Sequence, residues 1–74
     1  MYTKNDFELY KQDVNKKAIE HQKKYPYETY GYALTKIIQN DFPIIIKQIK
    51  YSNIDPYDNN HIEEFWNYLE KKLT

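Results

Sequence analysis

Apolar side chains recur along the first third of the chain with the period of an α-helix. Between positions 7 and 25 they fall at steps of three or four residues, and lysine, glutamine, asparagine and glutamate fill most positions between them. Such spacing gathers the apolar side chains on one face of a helix. We predict a first helix over residues 5–25, whose apolar face is formed by Phe7, Tyr10, Val14, Ala18, His21 and Tyr25.

Residues at both ends of this first helix are typical of helix boundaries. Asn5 and Glu8 have the spacing of a capping box, in which two side chains satisfy free backbone N–H groups. Thr3 and Asp6 offer a competing cap with the same spacing. Pro26 ends the helix, because a proline disfavours helical backbone in the residue before it.

A second apolar pattern predicts a helix over residues 28–40. Its buried face comprises Tyr30, Ala33, Leu34, Ile37 and Ile38. Gly31, the only glycine of the chain, lies one turn inside this helix, where it costs about 1 kcal/mol relative to alanine. We interpret it as a place where another helix backbone comes close, or as a frayed first turn, in preference to a functional glycine.

The following segment, residues 43–51, is compatible with two structures. Pro43 suits the first turn of a new helix, whereas the three isoleucines that follow it are β-branched and also suit a strand. We favour a helix, because the chain offers no second strand for it to pair with. Residues 52–59 are dense in turn formers and predict a loop.

The last pattern predicts a helix over residues 60–73. Asn60 and Glu63 have capping-box spacing, and two lysines near the end complement the negative end of the helix dipole. The apolar stripe consists of Ile62, Phe65, Trp66, Leu69 and Leu73. Together these patterns predict one all-α domain over residues 1–74, a small three-to-four-helix bundle.

The composition restricts the chemistry and the compartment. The 74 residues include no cysteine, which excludes thiol catalysis, thiolate metal sites and disulfides, and which fits a reducing compartment. No segment approaches the roughly 20 apolar residues of a membrane span, and the first residues lack the pattern of a secretory signal. We therefore expect a cytoplasmic protein that does not enter a membrane.

The residue usage indicates the kind of genome that encodes the chain. All eleven basic residues are lysine, and tyrosine and isoleucine each occur nine times. Amino acids with AT-rich codons are over-represented, which favours a low-GC bacterium or one of its phages or plasmids. The same bias raises the number of tyrosines independently of any function.

Candidate catalytic and metal-binding residues are scarce. Ser52 stands alone in a turn, and His21 and His61 lie on different predicted helices without the spacing of metal ligands. Asp55 and Asp58 lie in a loop that lacks the glycine and the terminal glutamate of a calcium site. A single glycine cannot form a phosphate-binding loop. We expect a non-enzymatic protein without a cofactor or a bound metal.

The tyrosines are the strongest positive indication of a binding site. Four of them fall within eight residues around Pro26, and Tyr57 lies in the later loop. Tyrosine provides a large contact area at low entropic cost and is enriched at protein interfaces. The alternative is that codon bias alone placed them there. We predict that the partner-binding residues are Tyr25, Tyr27, Tyr32 and Tyr57.

A DNA-binding function is the alternative hypothesis. Residues 28–52 resemble a helix-turn-helix in outline, and its second helix would present Lys47, Gln48 and Lys50 to phosphates and base edges. Three isoleucines occupy the start of that helix, where base contacts are usually made. The formal net charge of zero also argues against it, because phosphate neutralisation supplies much of the affinity for DNA.

The sequence therefore favours a small protein-binding module with a protein partner, and nucleic acid is the less favoured ligand. We expect an inhibitor or adaptor from a phage or mobile element of a low-GC bacterium, for example one that blocks a host defence or replication enzyme. The identity of the partner and the oligomeric state are left open by the residues.

Overall fold

Four α-helices form a bundle in the computed structural model, which describes residues 2–74. They are α1 (Lys4–Lys24), α2 (Tyr30–Asp41), α3 (Pro43–Ile49) and α4 (Ile62–Leu73), and a 3₁₀ helix at Asn59–His61 leads into α4. No strand occurs among these residues, so the predicted all-α bundle is confirmed. No helix within the described part of the chain has the length and apolar character needed to cross a membrane.

The start of α1 is set by the competing cap. The Thr3 hydroxyl accepts a hydrogen bond from the Asp6 N–H at 3.0 Å, and the Asp6 carboxylate accepts one from the Thr3 N–H at 3.3 Å. The predicted capping box of Asn5 and Glu8 is therefore wrong, because Asn5 already lies inside the helix. At the other end, the Tyr25 N–H donates to the His21 carbonyl and closes the last turn before the proline.

The helices α2 and α3 are separated by a single non-helical residue, Phe42. Because the Thr29 side chain caps α2, that helix begins at residue 30 and not at the predicted residue 28. Pro43 occupies the first turn of α3, so the helical prediction for the isoleucine-rich segment is confirmed, although the helix ends at residue 49 instead of 51.

The start of α4 differs from the prediction. The Asp58 side chain accepts a hydrogen bond from the Asn60 N–H at 2.9 Å and begins the 3₁₀ turn that precedes the helix. His61 stands at the N-cap of α4, but its side chain makes no capping hydrogen bond to that helix. The predicted capping box of Asn60 and Glu63 is therefore wrong, because the turn delays the start of the helix by two residues.

The core lies where α1 packs against α2 and α4, and where α2 packs against α3. Side chains from the predicted stripes supply most of it, although Tyr10 and Ile62, which belong to the same stripes, are half-buried at its margin. The buried apolar residues are Phe7, Val14, Ala18, Ala33, Leu34, Ile38, Ile46, Ile49, Phe65, Trp66 and Leu69.

Trp66 connects α4 to α1. Its side chain is 5% exposed, and its ring meets that of Phe7 edge to face, with 6.0 Å between the centroids. The ammonium group of Lys11 lies 5.5 Å from the centre of the indole. Trp66 therefore contributes both buried apolar area and a cation–π interaction to the contact between α1 and α4.

We expect Trp66→Ala to lower the free energy of unfolding by about 3–5 kcal/mol, because it removes a large buried ring and leaves a cavity. That loss would bring a domain of this size close to unfolding. The measurement is urea denaturation followed by circular dichroism. Ile44→Ala is the control, since Ile44 is 71% exposed, and it should change the stability by less than about 0.5 kcal/mol. A Trp66→Ala variant as stable as this control would contradict the assignment.

Candidate functional site

The loop of residues 50–58 lies directly against the first turn of α2. The Gly31 N–H donates a hydrogen bond to the Asn59 side-chain oxygen at 2.7 Å. A Cβ atom on Gly31 would stand 2.7 Å from the Tyr57 carbonyl oxygen, which is closer than side-chain carbons approach a backbone. The predicted close approach at Gly31 is confirmed, but the neighbour is this loop and not another helix.

A buried threonine makes the second attachment of the loop to α2. The Thr35 hydroxyl lies 2.8 Å from the Gly31 carbonyl oxygen and 2.7 Å from the Pro56 carbonyl oxygen, and it can donate its one proton to either. The Thr29 hydroxyl donates weakly to the Tyr57 carbonyl at 3.5 Å. These contacts hold the middle of the loop in one position on the helix.

Short polar side chains shape the rest of the loop. The Ser52 hydroxyl donates to the Ile49 carbonyl at 2.7 Å and accepts from the Ile54 N–H at 3.2 Å. The Asp55 carboxylate accepts a hydrogen bond from the Tyr57 N–H at 3.0 Å. Ser52 is thus a turn residue bonded to nearby backbone, as the sequence indicated, and Asp55 forms a typical Asx turn.

The two histidines lie apart and make different contacts. His61 accepts a hydrogen bond from the Asp55 N–H through Nδ1, at 2.9 Å. His21 is half-buried on α1, and its Nε2 contacts the Glu28 carboxylate. Within residues 2–74, no three histidine, aspartate or glutamate side chains come together in a group that could hold a metal ion.

Three tyrosines meet in one surface groove at this end of the bundle. Tyr27, Tyr32 and Tyr57 line it together with Glu28 and Thr29, and we call these five residues the aromatic groove. The groove is shallow and open, with a volume of about 370 Å³. Tyr27 is 81% exposed, Tyr32 is 36% exposed, and the rings of Tyr32 and Tyr57 lie 5.9 Å apart.

Tyr25, the fourth tyrosine predicted to contact a partner, lies behind the aromatic groove. Its ring meets the Tyr27 ring edge to face, with 6.3 Å between the centroids, and lies 4.8 Å from the His21 ring. Tyr25 does not line the groove itself. The structure therefore brings three of the four predicted residues to one surface and places the fourth as a support for Tyr27.

A pair of charged residues lies at the aromatic groove and was not found from the sequence. One oxygen of the Glu28 carboxylate contacts His21, and the other lies 3.7 Å from the Lys36 ammonium. The same ammonium stands 4.6 Å from the centre of the Tyr32 ring. The pKa of Lys36 is raised above its usual value, chiefly by its interaction with the Tyr32 hydroxyl and further by Glu28. The spacing of Tyr32 and Lys36, four residues apart on one helix, was the available signal.

Two other tyrosines join helices and have a structural role. The Tyr10 hydroxyl donates to the Asp41 carboxylate at 2.8 Å, which connects α1 to the end of α2. Burial and this hydrogen bond raise the pKa of Tyr10 far above its usual value. The Tyr30 hydroxyl donates to the Asn15 side chain, and burial raises the pKa of Tyr30 as well. Both belong to the margin of the core.

The residues of the DNA-binding hypothesis lie on the exposed side of α3 and at the position directly after it. Lys47, Gln48 and Lys50 are all exposed. Ile44 stands at the start of the same helix with 71% of its surface exposed. This seven-residue helix would therefore present an apolar side chain where a recognition helix places its base contacts.

The chain matches no protein-family model, no curated protein and no solved structure. The geometry of its own residues is therefore the basis for a functional proposal.

We expect Gly31→Ala to lower the free energy of unfolding by about 1–3 kcal/mol, because the new methyl group would collide with the Tyr57 carbonyl. This is the expected net effect, after the gain of about 1 kcal/mol or less in helix propensity has been subtracted from the cost of the collision. Chemical denaturation measures the stability, and amide chemical shifts report displacement of the loop.

The control for this variant is Gln39→Ala, an exposed position on the same helix. It should leave the stability within about 0.5 kcal/mol of the wild type. A Gly31→Ala protein that is more stable than the wild type would show that the loop does not lie against α2 in solution.

Proposed function

We propose that this chain is a non-enzymatic protein-binding module that contacts its partner through the aromatic groove. The observation that carries the proposal is the convergence of three tyrosines from separate segments, of which Tyr27 and Tyr32 are exposed and Tyr57 is half-buried. Tyr27 comes from the corner before α2, Tyr32 from the first turn of α2, and Tyr57 from the loop that lies between α3 and α4. Burial of their rings is not needed to complete the helical core.

The rigidity of the aromatic groove supports the same proposal. Tyr57 lies on a loop fixed to α2 through Gly31 and Thr35, and Tyr32 belongs to the helix itself. Side chains held in place before binding lose less conformational entropy when a partner docks. Exposed tyrosines on a fixed backbone are typical of the residues that dominate binding energy at protein interfaces.

The proposed role is that of an inhibitor or adaptor. A domain of 74 residues with one groove can occupy a partner's surface or join it to another protein. We extend the proposal, on the strength of the AT-rich residue usage, to an origin in a phage or mobile element of a low-GC bacterium. Its target would then be a host enzyme, such as one of defence or replication.

A second candidate function is DNA binding through α3, which the exposure of Lys47, Gln48 and Lys50 supports. The two functions use different surfaces, because none of these residues lines the aromatic groove. Substitutions on the two surfaces therefore discriminate between them.

We expect Tyr27→Ala, Tyr32→Ala or Tyr57→Ala to weaken partner binding, at least one of them by about thirtyfold (about 2 kcal/mol), the usual mark of an interface hot spot. The partner is first captured from a lysate of a low-GC bacterium and identified by mass spectrometry. Isothermal titration calorimetry of the purified pair then gives the Kd of each variant.

Tyr51→Ala is the matched control, because Tyr51 is 90% exposed and lies outside the aromatic groove. It should bind the partner as the wild type does. If the three groove variants also bind as the wild type does, the proposal is wrong. Tight, salt-sensitive binding to duplex DNA, reduced in Lys47→Ala and Lys50→Ala by about one counterion each, would favour the second function.

A further inference from the structure

The lining of the aromatic groove is complementary to a positive charge. Of its five residues one is charged, and that residue is the acidic Glu28. The other walls include three tyrosine rings, whose faces carry negative electrostatic potential. The faces of aromatic rings attract ammonium and guanidinium groups within about 6 Å of their centroids.

The protein's own Lys36 already demonstrates this chemistry at the edge of the aromatic groove. Its ammonium lies 4.6 Å from the centre of the Tyr32 ring and 3.7 Å from a Glu28 carboxylate oxygen. A single cation is thus held by one ring and one carboxylate of the groove at the same time. The geometry shows that these two groups can act together on one positive charge.

Lys36 is a weakly held occupant of this position. Its side chain is 47% exposed, and its distance to Glu28 is close to the limit for an ion pair. Although Glu28 is 14% exposed, the lysine end of the pair is open to solvent and the separation is long, and a lysine on a flexible stem readily moves to solvent. A cation presented by a partner could therefore replace the Lys36 ammonium at the Glu28 oxygen that Lys36 now faces.

The residues around the aromatic groove favour the same sign of charge. Asp55 and Asp58 flank Tyr57 on the loop and add negative charge on that side. Lys24 lies over the ring of Tyr25, 5.7 Å from its centre, and Tyr25 does not line the groove. Lys50 lines a neighbouring depression together with Tyr57, but Lys36 is the basic residue in contact with Tyr32 and Glu28, and a positively charged ligand must displace it.

We propose that the aromatic groove binds an arginine side chain of the protein partner, stacked on the tyrosine rings and paired with Glu28. This inference rests on the proposed protein-binding function. Arginine fits better than lysine, because its planar guanidinium stacks on aromatic faces while its N–H groups, which lie in the same plane, can still reach the Glu28 oxygen that His21 does not contact. The guanidinium takes the place of the Lys36 ammonium, while His21 keeps its contact with the other Glu28 oxygen.

The test is an NMR titration of the whole protein with a blocked pentapeptide that has arginine at its centre and glycine elsewhere. A second peptide carries citrulline, which has nearly the same shape without the charge. We expect saturable shifts in the ring signals of Tyr27, Tyr32 and Tyr57, with a Kd on the order of 1 mM for so small a probe. The citrulline peptide should bind at least about fivefold more weakly, since it lacks the cation–π and ionic attraction.

The sign of the Lys36→Ala effect separates a cationic from an anionic ligand. Removal of the competing ammonium should tighten binding of the arginine peptide by about threefold. If the groove instead takes an acidic side chain, the same substitution should abolish binding of a glutamate pentapeptide, and the arginine peptide should produce no shifts. The matched control is Lys17→Ala, an exposed lysine paired with Asp13 on α1, which should change neither titration.

Glu28→Gln provides a second, independent arm. This substitution should weaken binding of the arginine peptide by about tenfold and bring its Kd close to that of the citrulline peptide, because the ion pair with Glu28 is lost. Thermal unfolding checks the fold, since Glu28 also contacts His21. If this variant unfolds, the Lys36→Ala result decides alone.

Failure of this inference and failure of the proposed function give different results. Absence of saturable shifts at about 10 mM arginine peptide, or equal binding of the citrulline peptide, overturns the arginine site. Loss of partner binding in Tyr27→Ala or Tyr57→Ala would still support the protein-binding function. The converse result is that the groove binds the arginine peptide selectively while the tyrosine substitutions leave partner binding unchanged. That result would support the arginine site and overturn the proposed function.

Discussion

The contact between Gly31 and the loop of residues 50–58 is the constraint on which the rest of this end of the molecule depends. The Tyr57 carbonyl oxygen occupies the space that a Cβ atom on Gly31 would need, and the Asn59 side-chain oxygen accepts a hydrogen bond from the Gly31 N–H. Because that N–H lies in the first turn of α2, it has no partner within the helix. The loop supplies one and is itself fixed in return.

The same attachment determines where α4 begins and where Tyr57 lies. Asn59 is the first residue of the 3₁₀ turn that leads into α4, so its bond to Gly31 positions the start of that helix relative to α2. Thr35 holds Pro56, the residue directly before Tyr57, whose carbonyl meets α2. A small domain with no cysteine thus orders a long connection with hydrogen bonds to one helix, in place of a disulfide.

The helices could be predicted from the sequence because each depends on local periodicity. The caps depend on which of several nearby polar side chains binds the free N–H groups, and the site depends on contacts between residues that are distant in the chain. The apolar stripes of α1 and α4 identify Phe7, Val14, Phe65 and Leu69 correctly. The caps were mispredicted, since Asn5 has an equally spaced competitor in Thr3, and Asp58 begins a 3₁₀ turn ahead of Asn60. Glu28 was not identified, because its partners His21 and Lys36 lie seven and eight residues away along the chain, in two different helices.

The fold gives different roles to the tyrosines, which codon usage makes numerous, because some join helices and others form the aromatic groove. Tyr10 and Tyr30 turn their hydroxyls to Asp41 and Asn15, and so their polar ends connect helices while their rings cover the core. Codon bias explains how many tyrosines the chain has, but it does not explain why exposed ones gather. Tyr51 is 90% exposed and stands alone, which is how codon bias would place a tyrosine in the absence of selection for binding. The groove brings three tyrosine rings together beside one carboxylate, and this requires that the loop carrying Tyr57 be fixed to α2. The loop can approach so closely only because residue 31 is glycine, which lowers the helix propensity of α2.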